Sequence, residues 1–207
     1  MLVRRFMPAA MLAACATLAL LGTTAPPKPT ATEAAFVARV AQTLTASYPT
    51  RAAAERSGYM ALSTKIGADG TYDLTNMDFA HVSLAHPNFL WYDRSGRLVG
   101  TDYELPTKQY PKPPALFPVA STRWSRIHEH VHFAYELGGK VVLAGARAKP
   151  NLRTAHPSAA ALRADGDLPK GATLRWAMYH PEAWDLAIWT VANPNGAFAD
   201  LNPLVKK

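Results

Sequence analysis

The stretch TRWSRIHEHVHFAYELGGKVVLAG, residues 122–145, combines a strand pattern, a turn signal and three of the chain's seven histidines. A Gly-Gly pair separates two runs rich in β-branched and aromatic residues, which predicts a β-hairpin with a two-residue turn. Side chains alternate between the faces of a strand, so His128, His130 and His132 are expected to share one face. The alternate positions are apolar except for one glutamate, which predicts that the opposite face lies in the core.

The two-residue turn also predicts the register of this hairpin. His132 then lies opposite Gly145, and His130 lies opposite Arg147. Gly145 leaves open space beside the His132 ring, whereas an arginine beside His130 suits a carboxylate or a phosphate. Glu136 is the nearest carboxylate and is predicted to accept a hydrogen bond that orients a histidine ring. We expect this face to bind a transition metal or a small polar ligand.

Strand spacing limits how many of these histidines can bind one ion. Positions i and i+2 lie roughly 6.6 Å apart and can chelate an ion, but positions i and i+4 lie about 13 Å apart and cannot easily share one. We therefore predict that His130 and His132 are ligands and that His128 or His180 completes the set. Met178 is expected to share a face with His180, and a thioether beside imidazoles suits copper. The predicted cofactor is accordingly copper or zinc.

Other interpretations of the histidine-rich strand stay open. Half-exposed strand histidines are common, so a non-catalytic envelope protein without any ligand at this face is the alternative function. His81, His86 and His156 are further candidates for a third ligand. Whether the protein is an enzyme is not determined by the sequence, since Glu129 or Glu136 could act as a general base but nothing requires it.

The segment HVHFAYE, residues 130–136, resembles the first metal-binding motif of the cupins, which contains two histidines and a glutamate. This resemblance implies a cupin-like metalloenzyme. A second cupin motif supplies another histidine soon after a Pro-x-Gly sequence. Pro169-Lys-Gly171 is present here, but Leu174 occupies the position of that histidine.

The N-terminus has the features of an export signal over residues 1–25. Two arginines precede an apolar run without charge, as in secretory leaders. Leu12-Ala-Ala-Cys15 resembles the bacterial lipobox, which implies lipidation of Cys15 and anchoring to a membrane. Cleavage after Ala25 would instead release a soluble product, although Pro26 would follow the cleaved bond. The predicted location is therefore outside the cytoplasm, as a periplasmic, lipid-anchored or secreted protein.

Composition excludes several classes of partner and cofactor. Cys15 is the only cysteine, so the folded part of the chain has no disulfide and no thiolate ligand. Without the two leader arginines, 22 − 2 = 20 basic residues face 15 acidic ones, a net charge of +5. These charges are scattered, so we expect no nucleic-acid groove, and no protein partner is indicated.

The order of the predicted elements indicates an α+β fold. Residues 26–31 are predicted to form a proline-rich linker, and residues 32–207 a single domain. Helices are expected to about residue 46 and over residues 50–58. Hairpins and strands follow, interrupted by a proline-rich connector at residues 106–118. We therefore predict N-terminal helices packed on a mainly antiparallel β-sheet or partial barrel.

Overall fold

The computed structural model describes residues 28–62 and 65–205. These residues form three short or medium helices and two antiparallel sheets of six and three strands. The predicted α+β class, with N-terminal helices on mainly antiparallel sheets, is confirmed. The predicted export signal, including Cys15, lies outside the described residues. Among the described residues, no helix has the length and apolar composition needed to cross a bilayer.

The helices are α1 (Ala31–Ser47), α2 (Arg51–Arg56) and α3 (Ala159–Ala164), with 3-10 turns at Ser121–Arg123 and Pro150–Leu152. The strands are β1 (Met60–Ala61), β2 (Tyr72–Thr75), β3 (Phe89–Tyr92), β4 (Leu98–Pro106), β5 (Ser125–Ile127), β6 (His130–Leu137), β7 (Lys140–Arg147), β8 (Thr173–His180) and β9 (Ala183–Trp189).

Helix α1 begins with the capping box that its sequence predicts. The Thr30 hydroxyl accepts a hydrogen bond from the Glu33 amide at 3.2 Å, and the Glu33 carboxylate accepts one from the Thr30 amide at 2.9 Å. Phe36, Val40 and Leu44 then recur on one face and are buried. This apolar stripe packs against the larger sheet and forms the main core with it.

The larger sheet has the strand order β1-β2-β3-β4-β9-β5. Alternation along β4 and β9 divides their side chains between two faces. Tyr103 and Leu186 lie on the face that packs in the main core. Asp102, Glu104 and Asp185 lie on the other face, where Glu104 and Asp185 are direct cross-strand partners.

The smaller sheet has the order β7-β6-β8 and contains the predicted hairpin. Both turn glycines, Gly138 and Gly139, have positive φ angles of 59° and 73°, as the tight turn requires. The predicted register is confirmed, with His132 opposite Gly145 and with His130 opposite Arg147. One face of this sheet covers a second core that includes residues of α3. The histidines lie on the opposite face.

The continuous strand expected before the hairpin is broken at residues 128–129. Strand β5 pairs with β9 in the larger sheet, whereas β6 pairs with β7 and β8 in the smaller one. The chain therefore changes sheets at His128, and this residue does not share the face of His130 and His132 as the sequence suggested. Its side chain is 87% exposed, and its Nδ1 lies 3.5 Å from a carboxylate oxygen of Glu182.

A buried ion pair fixes α1 to the turn that precedes β5. Arg123 donates to both carboxylate oxygens of Glu33, at 3.0 Å from Nε and 3.1 Å from Nη2. The Ala120 amide donates to the same carboxylate at 3.1 Å. The hydrogen bond from Arg123 is the main reason that the pKa of Glu33 falls to about 2, against the opposing effect of burial. Glu33 is thus a charged anchor between two distant segments.

Replacing Glu33 with alanine should lower the free energy of unfolding by about 3 kcal/mol at pH 7, because it removes the charge that balances a buried guanidinium. The folded pKa lies below that of the unfolded chain, so the contribution of Glu33 is full above pH ~4.5 and is lost as the pH falls towards ~2. Urea unfolding at pH 7 and pH 3 measures both effects. The exposed Glu55→Ala on α2 is the control, and equal losses in the two variants would refute the anchor.

Candidate metal centre

His130 and His132 direct the same ring nitrogen at each other. Their Nε2 atoms are 2.8 Å apart, and their ring centroids are 4.5 Å apart in an edge-on arrangement. His130 Nδ1 donates to the backbone carbonyl of His128 at 2.8 Å, since a carbonyl oxygen can only accept. In the neutral ring this leaves a lone pair on His130 Nε2. The two Nε2 atoms therefore converge as a chelating pair would.

Both rings of this pair favour the neutral form, which is the form that ligates metals. Burial is the main cause that lowers the pKa of His130, and the charge of His180 adds to it. Burial also lowers the pKa of His132 to about 3, with further contributions from His130 and His180. Without an ion, the 2.8 Å contact is a hydrogen bond that His132 Nε2–H donates to His130 Nε2.

His180 lies directly beside this pair but is bonded on both of its nitrogens. Its ring stacks on the His130 ring at a centroid distance of 4.4 Å. Nδ1 donates to the Pro181 carbonyl at 2.7 Å, and Nε2 lies 2.8 Å from Glu104 Oε2. Burial lowers the pKa of His180, but the hydrogen bond and the charge of Glu104 outweigh it, so the net shift is upward. With both ring nitrogens engaged in hydrogen bonds, His180 directs no free lone pair at the pair on β6.

Met178 is the thioether donor next to the histidine pair on this face of the sheet. The register of β8 places Met178 opposite His132 and His180 opposite His130. Met178 is only 7% exposed, so its thioether is held within the sheet face and not in solvent. On the other side of His132, Gly145 is exposed and carries no side chain. An ion could therefore approach the pair from the side of β7.

Of the two charged residues that the sequence placed near this site, Glu136 has other surroundings. Glu136 forms an ion pair with Arg175 at the far end of the sheet. The groups that orient the rings are instead Glu104 for His180 and the His128 carbonyl for His130. Arg147 is exposed opposite His130, as its register predicts.

The other histidines considered as third ligands belong to different surroundings. His81 contacts Asp78 at 2.6 Å, and His86 contacts the hydroxyl of Tyr48 at 3.1 Å. Both histidines line a surface cleft of about 230 Å³ that contains no residue of the pair on β6. His156 is exposed in the segment before α3.

Within residues 28–62 and 65–205, no three histidine, cysteine, aspartate or glutamate side chains form a group that could hold a metal ion. A metal ion held by the converging pair would need a third donor of another kind. A thioether is such a donor, and Met178 is the one on the same sheet face.

Carboxyl groups of the larger sheet, which the sequence did not indicate as part of the site, lie on the same face as Glu104. Burial is the main cause that raises the pKa of Asp102 well above its usual range, and the charges of Asp185 and Glu104 add to it. Burial likewise raises the pKa of Asp185 to about 7. Trp91 Nε1 donates to Asp102 at 2.9 Å. Strand alternation over residues 100–105 predicts that Asp102 and Glu104 share one face. Their neighbours Asp185 and His180 could not be predicted in this way, because they lie on strands far along the chain.

Asp102→Asn should weaken the pH dependence of stability. A raised folded pKa means that the folded chain keeps a proton which the unfolded chain releases above pH ~4, so stability falls as the pH rises through the folded pKa. Asparagine cannot ionise and can still accept from Trp91. We expect the variant to exceed the parent by on the order of 1 kcal/mol at pH 8 and to match it near pH 4.

Urea unfolding across this pH range measures the difference, with the exposed Asp200→Asn as the matched control. A variant whose stability changes with pH as steeply as that of the parent would show that Asp102 ionises normally.

Comparisons with models of protein families, with curated proteins and with solved structures return no match to this chain. The cupin resemblance of residues 130–136 therefore stays a prediction.

Proposed function

We propose that the protein is an exported envelope protein that binds a transition metal, preferentially copper, through His130, His132 and Met178. One observation carries this proposal: two half-buried imidazoles point their Nε2 atoms at each other, 2.8 Å apart. A small increase in the distance between the two Nε2 atoms would make room for an ion between them. The backbone carbonyl behind His130 fixes the tautomer that leaves Nε2 available, an arrangement common behind metal-binding histidines.

The available donors favour copper over zinc. The described part of the chain contains no cysteine, and Glu104 and Glu136 form ion pairs with His180 and Arg175. Two neutral imidazoles and a thioether make an uncharged, soft ligand set, which suits Cu(I) better than Zn(II). We assign His180 the role of a positioning residue, because it stacks on His130 while Glu104 balances its charge.

The leader supports a location outside the cytoplasm. Its basic start and apolar run fit an export signal, and the lipobox-like sequence ending at Cys15 fits a lipid anchor. We therefore include membrane anchoring in the proposal.

Copper binding should depend on His132 and Met178 and not on other histidines. His132→Ala should abolish stoichiometric binding, since it removes one imidazole of the converging pair and leaves only His130 and the Met178 thioether. Met178→Leu keeps the shape of the side chain without its sulfur, so it should weaken Cu(I) binding about tenfold or more while changing Zn(II) binding little. Competition with a chromophoric Cu(I) chelator, on the whole protein purified without an affinity tag, measures both.

His86→Ala is the matched histidine control, because its ring contacts Tyr48 and not the pair on β6. Protein that holds neither copper nor zinc near one equivalent, and whose melting temperature does not change when either is added, would overturn the proposed metal site.

Lipid anchoring has a separate test. Cells that produce the protein and are fed radiolabelled palmitate should incorporate the label, and Cys15→Ala should remove it, because no other cysteine exists in the chain. A label that survives Cys15→Ala, or a parent protein that never acquires one, would contradict anchoring at Cys15 without affecting the metal site.

A further inference from the structure

The tip of the β6–β7 hairpin, residues 137–142, exposes apolar side chains on both faces of the smaller sheet. Leu137 is 42% exposed, Val141 is 65% exposed and Val142 is 37% exposed. Strand alternation places Val141 and Val142 on opposite faces, so no single layer of the protein could cover both. Exposed apolar residues that cluster at the end of a projecting hairpin mark a surface for binding.

Two exposed lysines lie beside this apolar tip. Lys140 follows the turn, and it is exposed opposite Leu137. The turn before β8 lies beside the tip, because a side chain added at Gly171 would come within 4.0 Å of Leu137 Cδ1. That turn contributes the exposed Lys170. Glu136 is the acidic residue next to the tip, and Arg175 neutralises it.

We propose that this hairpin tip inserts into the surface of an anionic phospholipid bilayer. Apolar side chains flanked by two lysines match the boundary between lipid headgroups and acyl chains. The end of the hairpin, residues 135–142, forms three cross-strand pairs. At about 3.3 Å per residue it spans roughly 10 Å, which is comparable with the depth of that boundary. Lysines near an anionic leaflet would add electrostatic attraction. The inference does not depend on the metal site.

Charge argues against a second copy of the chain as the occupant. Strand β7 is an edge of its sheet and could pair with itself in an antiparallel dimer. Full overlap of the two strands would place Lys140 opposite Arg147 at both ends. Like charges directly opposite each other destabilise strand pairing. An anionic lipid surface would instead attract Lys140, which lies at the tip.

Fluorescence quenching on vesicles tests the insertion directly. The full-length chain with Cys15→Ala and Val141→Cys carries one thiol, to which an environment-sensitive fluorophore is attached. A matched protein carries the thiol at Leu116→Cys, because Leu116 is also exposed, at 48%, but lies in the proline-rich connector. Vesicles contain nitroxide-labelled lipid in either phosphatidylcholine alone or a mixture of phosphatidylcholine and phosphatidylglycerol.

We expect the probe at position 141 to lose most of its fluorescence on the mixed vesicles and little on phosphatidylcholine. Salt at about 1 M, or the pair Lys140→Glu and Lys170→Glu, should reverse most of that loss. The probe at position 116 should keep its fluorescence on both vesicles, even where the leader holds the chain on lipid. Copper binding by the lysine variant should equal that of the parent.

Three results would overturn the proposal. The probe at position 141 could keep its fluorescence on anionic vesicles. Both probes could be quenched equally, which would indicate contact through the leader alone. The lipid-free protein could sediment as a dimer that Val141→Lys dissociates, which would make the tip an interface between two copies.

Discussion

The hydrogen bond between His180 and Glu104 is the interaction on which the arrangement of the candidate site depends. His180 ends β8 of the smaller sheet, and Glu104 lies in β4 of the larger one. Both side chains are almost completely buried, and their atoms approach to 2.8 Å. A buried histidine and a buried glutamate are each unfavourable alone, but together they balance charge and satisfy hydrogen bonds. The pair therefore couples the two sheets at the point where the histidines lie.

That coupling also defines the electrostatic surroundings of His130 and His132. The His180 ring, whose pKa is raised, stacks on the His130 ring, whose pKa is lowered. Glu104 compensates the positive charge that His180 carries when protonated, which would otherwise oppose a cation in the proposed metal site. Behind Glu104, burial raises the pKa values of Asp102 and Asp185, so these carboxyls tend to keep protons and not to add negative charge. The carboxylate face and the histidine face thus form one continuous network of titratable side chains.

Local pattern was sufficient to predict the hairpin, its register and the shared face of His130 and His132. These features follow from strand alternation and from a turn that requires glycine, both of which act over a few residues. Helix α1 was predictable for the same reason, because its capping box and apolar stripe lie within its own sequence.

Contacts between residues distant in the sequence could not be predicted from local pattern. His180 and Glu104 are 76 positions apart in the chain, and nothing near either residue indicates the other. The change of sheet at residues 128–129 depends on β9, which pairs with β5 from a distant part of the sequence. Consequently we predicted that His128 shares a face with His130 and His132, and that Glu136 orients a histidine ring. In the structure the His128 carbonyl and Glu104 orient the rings instead.

Nitrogen NMR of the histidine rings, before and after one equivalent of Cu(I), tests the central claim most directly. We predict that His130 without metal carries its proton on Nδ1, and that His180 carries protons on both nitrogens. On adding Cu(I), the Nε2 signals of His130 and His132 should shift as coordinated nitrogens while those of His180 stay unchanged. Coordination through His180, or a His130 ring protonated on Nε2 in the metal-free protein, would contradict the account.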